Sequence, residues 1–405
     1  MAQPLEGIKV LDLSTMVLGP LAAQYLGDLG ADVIKVEPPE GDLMRNIGPR
    51  HSAGMGAFFL GSNRNKRSIV LNLKTPTGLD TLYALVRQSD VLIHSVRASA
   101  AERLGISHAA LSAENPRLVT CHVKGYSDEG TYAGKPAYDD VGQAESGLAM
   151  LQSVVGGEPR YVPSILADKV TALHASYGIL AALLQRDRSG VGQAVDVPMF
   201  ETMVAFNSVE HLWGENFIPP LAEPGYVPIS TGARRPFRTR DGKYICVLPY
   251  NQGHWLRFCE VVGDPHLTED PRFSTFAARQ ADQVGFWQEV GRRVAQRDHD
   301  DWLASLSEAD VPHARVNSIA DLLSDEHLKS VDFWHTLEHP TEGILRMPGQ
   351  PIAMSGRTTV RMSAPPKLGE HRAEVLHEIG LSEDEVERRA REGAFGDICS
   401  NTGEQ

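Results

Sequence analysis

The chain has 405 residues, 42% of them hydrophobic and 22% charged, a length that favours two domains or one large domain with a long insertion. A net charge of −13 opposes general nucleic-acid binding and leaves a local basic pocket as the place for any phosphate-bearing ligand. The absence of any run of about 18 apolar residues argues against a membrane-spanning helix.

The first residues, Pro4-Leu5-Glu6-Gly7 among them, lack the basic start and apolar core of a signal peptide. The four cysteines, Cys121, Cys246, Cys259 and Cys399, show neither metal-ligand nor CxxC spacing. A cytoplasmic protein without a metal or a bound prosthetic group is expected. In chain order, Ile8–Leu13 reads as a short apolar strand, Pro20–Leu29 as a helix ending at Gly30, and Asp32–Glu37 as a second strand stopped by Pro38-Pro39. A helix over Pro76–Gln88, a strand Val91–His94, a helix ending near Gly105 and a strand Leu118–Val123 continue the alternation. This βα rhythm predicts a Rossmann-like parallel sheet covered by helices on both faces. A long Ala- and Leu-rich helix over Asp168–Arg186, a strand Ala194–Val197 and a helix Phe200–Asn216 close the block. Phe217–Arg238, with five prolines, then reads as a linker or an active-site loop. Beyond it come a strand Tyr244–Leu248, helices around 255–262, 286–295 and 298–306, a strand-and-loop segment from about Glu338, and a last helix from near His371. The extreme C-terminus reads as disordered.

No G-x-G-x-x-G follows the first strand, where the chain runs Ser14-Thr15-Met16-Val17-Leu18-Gly19-Pro20, so a nicotinamide cofactor is not expected. Walker A, HExxH and GxSxG patterns are absent too. Asn63-Arg64-Asn65-Lys66-Arg67-Ser68 offers several donors on a short loop, which suits phosphate oxygens, although a charge run also reads as a solvated loop. Asp168 stands before a strongly helical run as a natural N-cap. The helix dipole that favours a cap would also keep this carboxylate ionised and able to attack an acyl carbon. Asp139, in Pro136-Ala137-Tyr138-Asp139-Asp140, reads as a turn residue or a second acid. Spacing alone does not choose between these readings.

Taken together, these pieces resemble the class III CoA-transferases, which include formyl-CoA:oxalate, carnitine and succinyl-CoA-dependent enzymes and are related to the α-methylacyl-CoA racemases. The resemblance runs from Pro4-Leu5-Glu6-Gly7-Ile8-Lys9-Val10 through Gly30-Ala31-Asp32-Val33-Ile34-Lys35-Val36-Glu37-Pro38 and Asn63–Ile69. It continues through Arg103-Leu104-Gly105, Asn115-Pro116-Arg117, Gly190-Val191-Gly192-Gln193 and Pro365-Pro366-Lys367-Leu368-Gly369-Glu370-His371. It implies a Rossmann-like large domain over 1–224, a smaller inserted α+β domain over 225–330, a segment 331–405 returning to the large domain, and an interlocked homodimer. Asp168 would be the nucleophile and Asp139 the loop acid that shapes the site. Coenzyme A would be a substrate held by Asn65, Lys66, Arg67, Arg97, Arg103 and Lys124, with carboxylic acids as the other partners.

Three departures from the family pattern stand out. The family's Glu-Asn-Phe-Arg-Pro-Gly reads His94-Ser95-Val96-Arg97-Ala98-Ser99 here, Pro38 stands where some oxalate-using members have an arginine, and Tyr226–Arg238 lacks the glycine-rich lid of the formyl-CoA:oxalate enzymes, which disfavours oxalate. Tyr138 occupies the place of the racemase histidine, so two-base proton exchange lacks its partner. A CoA-binding protein without catalysis is the third reading. Arg234 and Arg235 could pair with the second carboxylate of a dicarboxylic substrate, or could be surface charge.

Overall fold

A computed structural model describes residues 3–355 and 362–396; the disorder expected for the extreme C-terminus falls on 397–405, outside the described residues. The chain folds into two compact units, one of residues 1–148, 161–206 and 330–405, the other of 149–160 and 207–329.

The first unit is built on six strands, β1 (Lys9–Leu13), β2 (Asp32–Glu37), β3 (Lys66–Val70), β4 (Val91–His94), β5 (Val119–Lys124) and β6 (Ala194–Pro198). All pair in parallel in the order β3-β2-β1-β4-β5-β6. The expected strands are therefore present within a residue or two of their ends. A parallel sheet requires each strand to return by a crossover, and the helices of the first unit provide it. Leu18–Asp28 and Leu166–Ser189 pack on each other, while Leu82, Leu85, Leu111, Val375 and Leu376 join the core cluster that contains Leu11, Leu13, Ile34 and Ile69. The long helix stops at Gly190, which adopts φ 78° as its C-cap. Two residues on, a Cβ at Gly192 would lie 2.1 Å from the Leu118 carbonyl oxygen, so the Gly-x-Gly turn lets β6 enter beside β5.

The opposite face of the first three strands mixes charge with hydrocarbon, Asp12 following Val10 and Lys35 following Val33 at the two-residue strand spacing. Asp12, Lys35 and Lys66 are all fully enclosed, with side-chain exposures of 0%. Lys66 Nζ donates to Asp12 Oδ2 and Asn63 Oδ1 at 2.8 Å each and to the Pro20 carbonyl at 2.7 Å. Lys35 pairs with Asp42 at 3.0 Å and donates to the Ser14 carbonyl at 3.0 Å. Burial pushes the Asp12 carboxyl upward, but Lys35 and Lys66 outweigh it and hold the group down at about 2.

The second unit has its own core around Trp255, Phe258, Phe286, Trp287 and Trp302 and a small antiparallel sheet, β7 (Phe237–Arg238), β8 (Tyr244–Val247) and β9 (His313–Arg315). The proline-rich stretch expected to be irregular contains the short helix Val227–Ser230. After it the chain forms a hairpin in the first unit, β10 (Trp334–His339) with β11 (Gly343–Pro348), and ends in helices Arg372–Glu378 and Glu383–Arg391. No helix among the described residues is long and apolar enough to cross a membrane.

Because Asp12 balances two enclosed ammonium groups, Asp12→Asn should lower the unfolding free energy at neutral pH by about 3–5 kcal/mol, read from the urea midpoint. The Asp12 carboxyl lies lower in the folded chain than in the unfolded one, so its contribution is complete above about pH 4 and disappears as pH falls toward 2. A loss below 1 kcal/mol would show that the network is not needed for stability.

Candidate active site

In an open parallel sheet, ligands settle outside the carboxyl ends of the strands where the strand order reverses. Here that reversal lies between β1 and β4, and three adjoining cavities occupy that edge. One, of about 220 Å³, is lined by Thr15, Met16, Arg97, Lys135, Tyr138 and Asp168, among others. A second, of about 390 Å³, shares Ser95, Arg97, Gly125 and Lys135 with it and adds His122, Lys124 and Asp128. A third, of about 300 Å³ and mostly apolar, lies against Thr15 and is walled by Pro38, Leu71, Lys74, Val96 and Leu104. Each of the six strands supplies lining residues from its C-terminal end.

Asp168 reaches the first cavity from the start of the helix Leu166–Ser189. The expectation that it is the N-cap is corrected by the structure: Ile165 is the cap, and Asp168 is the third helical residue. The role of capping side chain falls to Asp139, whose Oδ1 accepts the Asp168 backbone N–H at 3.0 Å. Asp139 is not in a turn either. It is the first residue of the helix Asp139–Glu145 and is 6% exposed. Its Oδ2 accepts from Gln143 Nε2 at 2.6 Å. Gln143 is fixed in turn, since Nε2 also donates to the Ser164 carbonyl at 3.0 Å and Oε1 accepts the Val162 N–H at 2.8 Å. The two helices approach closely because a Cβ at Gly142 would lie 2.6 Å from Met199 Sδ and 3.0 Å from Ala167 Cβ.

This arrangement reverses the electrostatic expectation for Asp168. Burial first, and then the negative charge of Asp139, push its carboxyl up to about 7. A carboxylate so raised is less hydrated and more basic than a surface one, which suits attack on an acyl carbon. Arg97 and Lys135 line the same cavity and supply positive charge. Lys135 also lies 3.6 Å from the Tyr132 ring centroid. Tyr138 is 63% exposed and opens the helix that carries Asp139.

The other expected residues divide into groups. Lys124 lines the second cavity with its ammonium held by Asp128 at 2.6 Å and Asp196 at 2.9 Å. Beside it, His94 and His122 stack at 4.5 Å, and burial drives the His94 imidazole down to about 3, so it is neutral. Arg103 is exposed at the end of the helix Ala98–Arg103, next to Leu104 of the apolar cavity. Asn65, Lys66 and Arg67 are not brought to these cavities, because they open β3 at the opposite edge of the sheet. All three Lys66 protons are engaged internally, Asn65 bonds Asp28 and Ser363, and Arg67 bonds Asp32, Glu374 and Glu378 at 2.6–2.8 Å. Arg234 and Arg235 belong to the second unit. Sequence reasoning missed Gln143, Lys135, Met16 and the apolar wall formed by Leu71, Val96 and Leu104. Met16, Leu71, Val96 and Leu104 stand within three residues after the end of a strand or helix, which is a usable signal, whereas Gln143 and Lys135 lie in a helix and a loop that the sequence pattern did not mark.

The chain matches a family model described as CoA-transferase family III over residues 5–372. It is 32% identical over 403 residues to the succinate–glutarate CoA-transferase of Agrobacterium fabrum, covering 96% of this chain and 97% of that one. It is 33% identical over 405 residues to a formyl-CoA:oxalate CoA-transferase of Streptomyces avermitilis, covering 95% and 98%. A solved CAIB/BAIF family protein from Brucella suis has a TM-score of 0.80 at 30% identity, covering 94% of this chain and all of that one.

Titrating the Asp168 carboxyl by isotope-edited infrared spectroscopy, with Asp168→Asn to assign the band, should give a midpoint near 7. Asp139→Asn should move that midpoint down, but not to the ordinary value, because burial is the larger cause. Since the folded value lies above the unfolded one, Asp168 favours the fold below about pH 4, and this contribution is lost as pH rises through about 7. An unshifted midpoint in Asp139→Asn would remove the charge coupling from the account.

Proposed function

Because the chain belongs to CoA-transferase family III, we propose that it moves CoA between carboxylic acids with Asp168 as the covalent nucleophile. The observation that carries this reading is a half-buried carboxylate with its carboxyl raised to about 7, set in a cationic cleft at the sheet's reversal point. Asp168 would attack the acyl-CoA carbonyl to form a mixed anhydride and expel CoA thiolate. The thiolate would attack the Asp168 carbonyl, releasing the donor acid as carboxylate and leaving an aspartyl-CoA thioester. The acceptor carboxylate would reverse both steps, expelling and then recapturing the thiolate, so that a new acyl-CoA leaves and Asp168 returns as carboxylate.

The cavities support a division of the CoA molecule. Adenine would fit the apolar cavity beside Pro38 and Leu104, the phosphates would meet Lys74 of that cavity, Arg97 of the first cavity and Arg103 next to Leu104, and the thioester would come to Asp168. Asp139 then acts as a positioning residue, since both its oxygens are engaged in holding the start of the helix. The absence of an imidazole at position 138 favours transfer over racemisation.

Identity to the succinate–glutarate and formyl-CoA:oxalate relatives is nearly equal, so the choice of acid rests on the site. Without a glycine-rich lid in Tyr226–Arg238, oxalate is not the preferred acceptor, and succinyl-CoA or another dicarboxylyl-CoA is the donor we propose, in line with the acids named for the Agrobacterium relative. We read the second unit as the smaller domain expected at 225–330 and the whole as an interlocked homodimer. Leu173, Tyr177 and Leu184, exposed by 54–62% on one face of the helix Leu166–Ser189, support an apolar subunit contact. Free thiols at Cys121, Cys246 and Cys259 fit a reducing, cytoplasmic location.

Incubation with succinyl-CoA followed by hydroxylamine should convert Asp168 to its hydroxamate, seen by peptide mass spectrometry. Asp168→Ala should lower kcat on the order of 10³-fold or more. Full transfer activity in that variant would end the proposal, and deuterium entering the α-carbon of a 2-methylacyl-CoA from heavy water would favour the racemase instead.

A further inference from the structure

In the second unit, Arg279 of the helix Phe276–Ala281 is 1% exposed and has no salt bridge among the described residues. Its Nη1 donates to the Phe273 carbonyl at 2.8 Å and to Gln252 Oε1 at 3.0 Å, whereas Nη2 is buried without an acceptor. The rings of Trp255, Phe286 and Phe276 lie 5.6, 5.7 and 5.9 Å from the guanidinium. Such faces attract a cation but leave an N–H without a hydrogen-bond acceptor of ordinary strength. An enclosed cation with a spare donor is costly to keep unless something accepts from it.

Arg279 lines a cavity of about 30 Å³ together with Arg234, Tyr226, Tyr250, Gln283 and Trp287. No residue of its lining is acidic. Arg234 lies 5.6 Å from the Trp287 ring centroid, which places a second guanidinium at the same cavity. The Gln283 amide is already committed, accepting from Trp287 Nε1 at 3.1 Å and donating to Gln280 Oε1 at 2.7 Å. Two cations and two phenols therefore converge where the wall itself supplies little to accept their protons.

We infer that this cavity is a binding site for the carboxylate group of a small organic acid. A carboxylate offers two oxygens in the plane that a guanidinium fork matches, and its charge offsets that of Arg279 and Arg234. The space holds one such group, being only two or three times what a single water needs by the same measure, and is too small for a nucleotide. The inference does not rest on Asp168 being the nucleophile.

The test is a titration of the full-length Asp168→Asn protein with succinate, followed by tryptophan emission, since Trp287 lines the cavity and Trp255 lies against Arg279. Butane-1,4-diol serves as the neutral control and sodium sulfate as the inorganic anion. Saturable binding of succinate but not of the diol is expected, weakened at least tenfold in Arg234→Gln and abolished in Arg279→Gln. If Arg279→Gln does not fold, Arg234→Gln and a crystal structure at saturating succinate decide the matter. Density for a carboxylate on Arg279 Nη2 supports the site. An ordered water alone there, an Arg234→Gln titration equal to that of its parent, or a response to sulfate as strong as to succinate overturns it.

Discussion

The enclosed cluster of Asp12, Lys35, Lys66 and Asp42 is the constraint on which the rest of the first unit depends. Two carboxylates and two ammonium groups meet there at zero side-chain exposure, so each charge is tolerable only while the others stay in place. The cluster joins β1, β2 and β3 and also reaches the loop that leaves β1. Lys35 grips the Ser14 carbonyl, and Asp42 accepts the Met16 N–H at 3.2 Å. Met16 stands at φ 69°, a conformation that side chains other than glycine avoid unless neighbours impose it. Thr15 and Met16 form one wall of the candidate active site. Charge inside the sheet is thus converted into the shape of a loop at its edge.

The same sheet explains why residues far apart in sequence meet. Parallel strands all present their C-terminal ends at one edge, and the strand order diverges there between β1 and β4, leaving a crevice that no crossover helix fills. Arg97 after β4, Lys135 before the helix Asp139–Glu145 and Asp168 in the next long helix converge on that crevice. The start of β3 lies at the other edge, which separates a basic-looking loop from the chemistry.

Strands and long helices were legible because their apolar period is local information. The strands β1, β2, β4, β5 and β6 and the helix Leu166–Ser189 could each be found from a window of a few residues. The cluster under the sheet was not legible, because an isolated Asp12 or Lys35 in a strand reads as outward-facing; only pairing with a distant residue makes it tolerable inside. Lys66 and Arg67 misled for the same reason, their partners being 54 and more than 300 positions away or on another strand. Asp168 was found, but its setting was not, since its helix is capped from Asp139, 29 residues earlier. Arg279 carried no signal at all, because burial of a cation among aromatic rings is a property of the assembled core.

The hydrogen bonds around Asp139 run in one direction only. The Val162 N–H gives to the Gln143 oxygen, the Gln143 amide nitrogen gives to Asp139 and to Ser164, and the Asp168 N–H gives to the remaining Asp139 oxygen. Turning the Gln143 amide over would set its NH₂ against the Val162 N–H and its oxygen against the Ser164 carbonyl, so the chain of polarity does not invert. The Asp139 carboxylate cannot turn without releasing either the Gln143 amide or the N–H at the start of the long helix. Of two identical side chains in one small space, Asp139 is spent on holding the backbone while Asp168 lines the cavity. The surroundings of Asp139 thereby make it a fixed anchor beside which the Asp168 carboxyl faces the cavity.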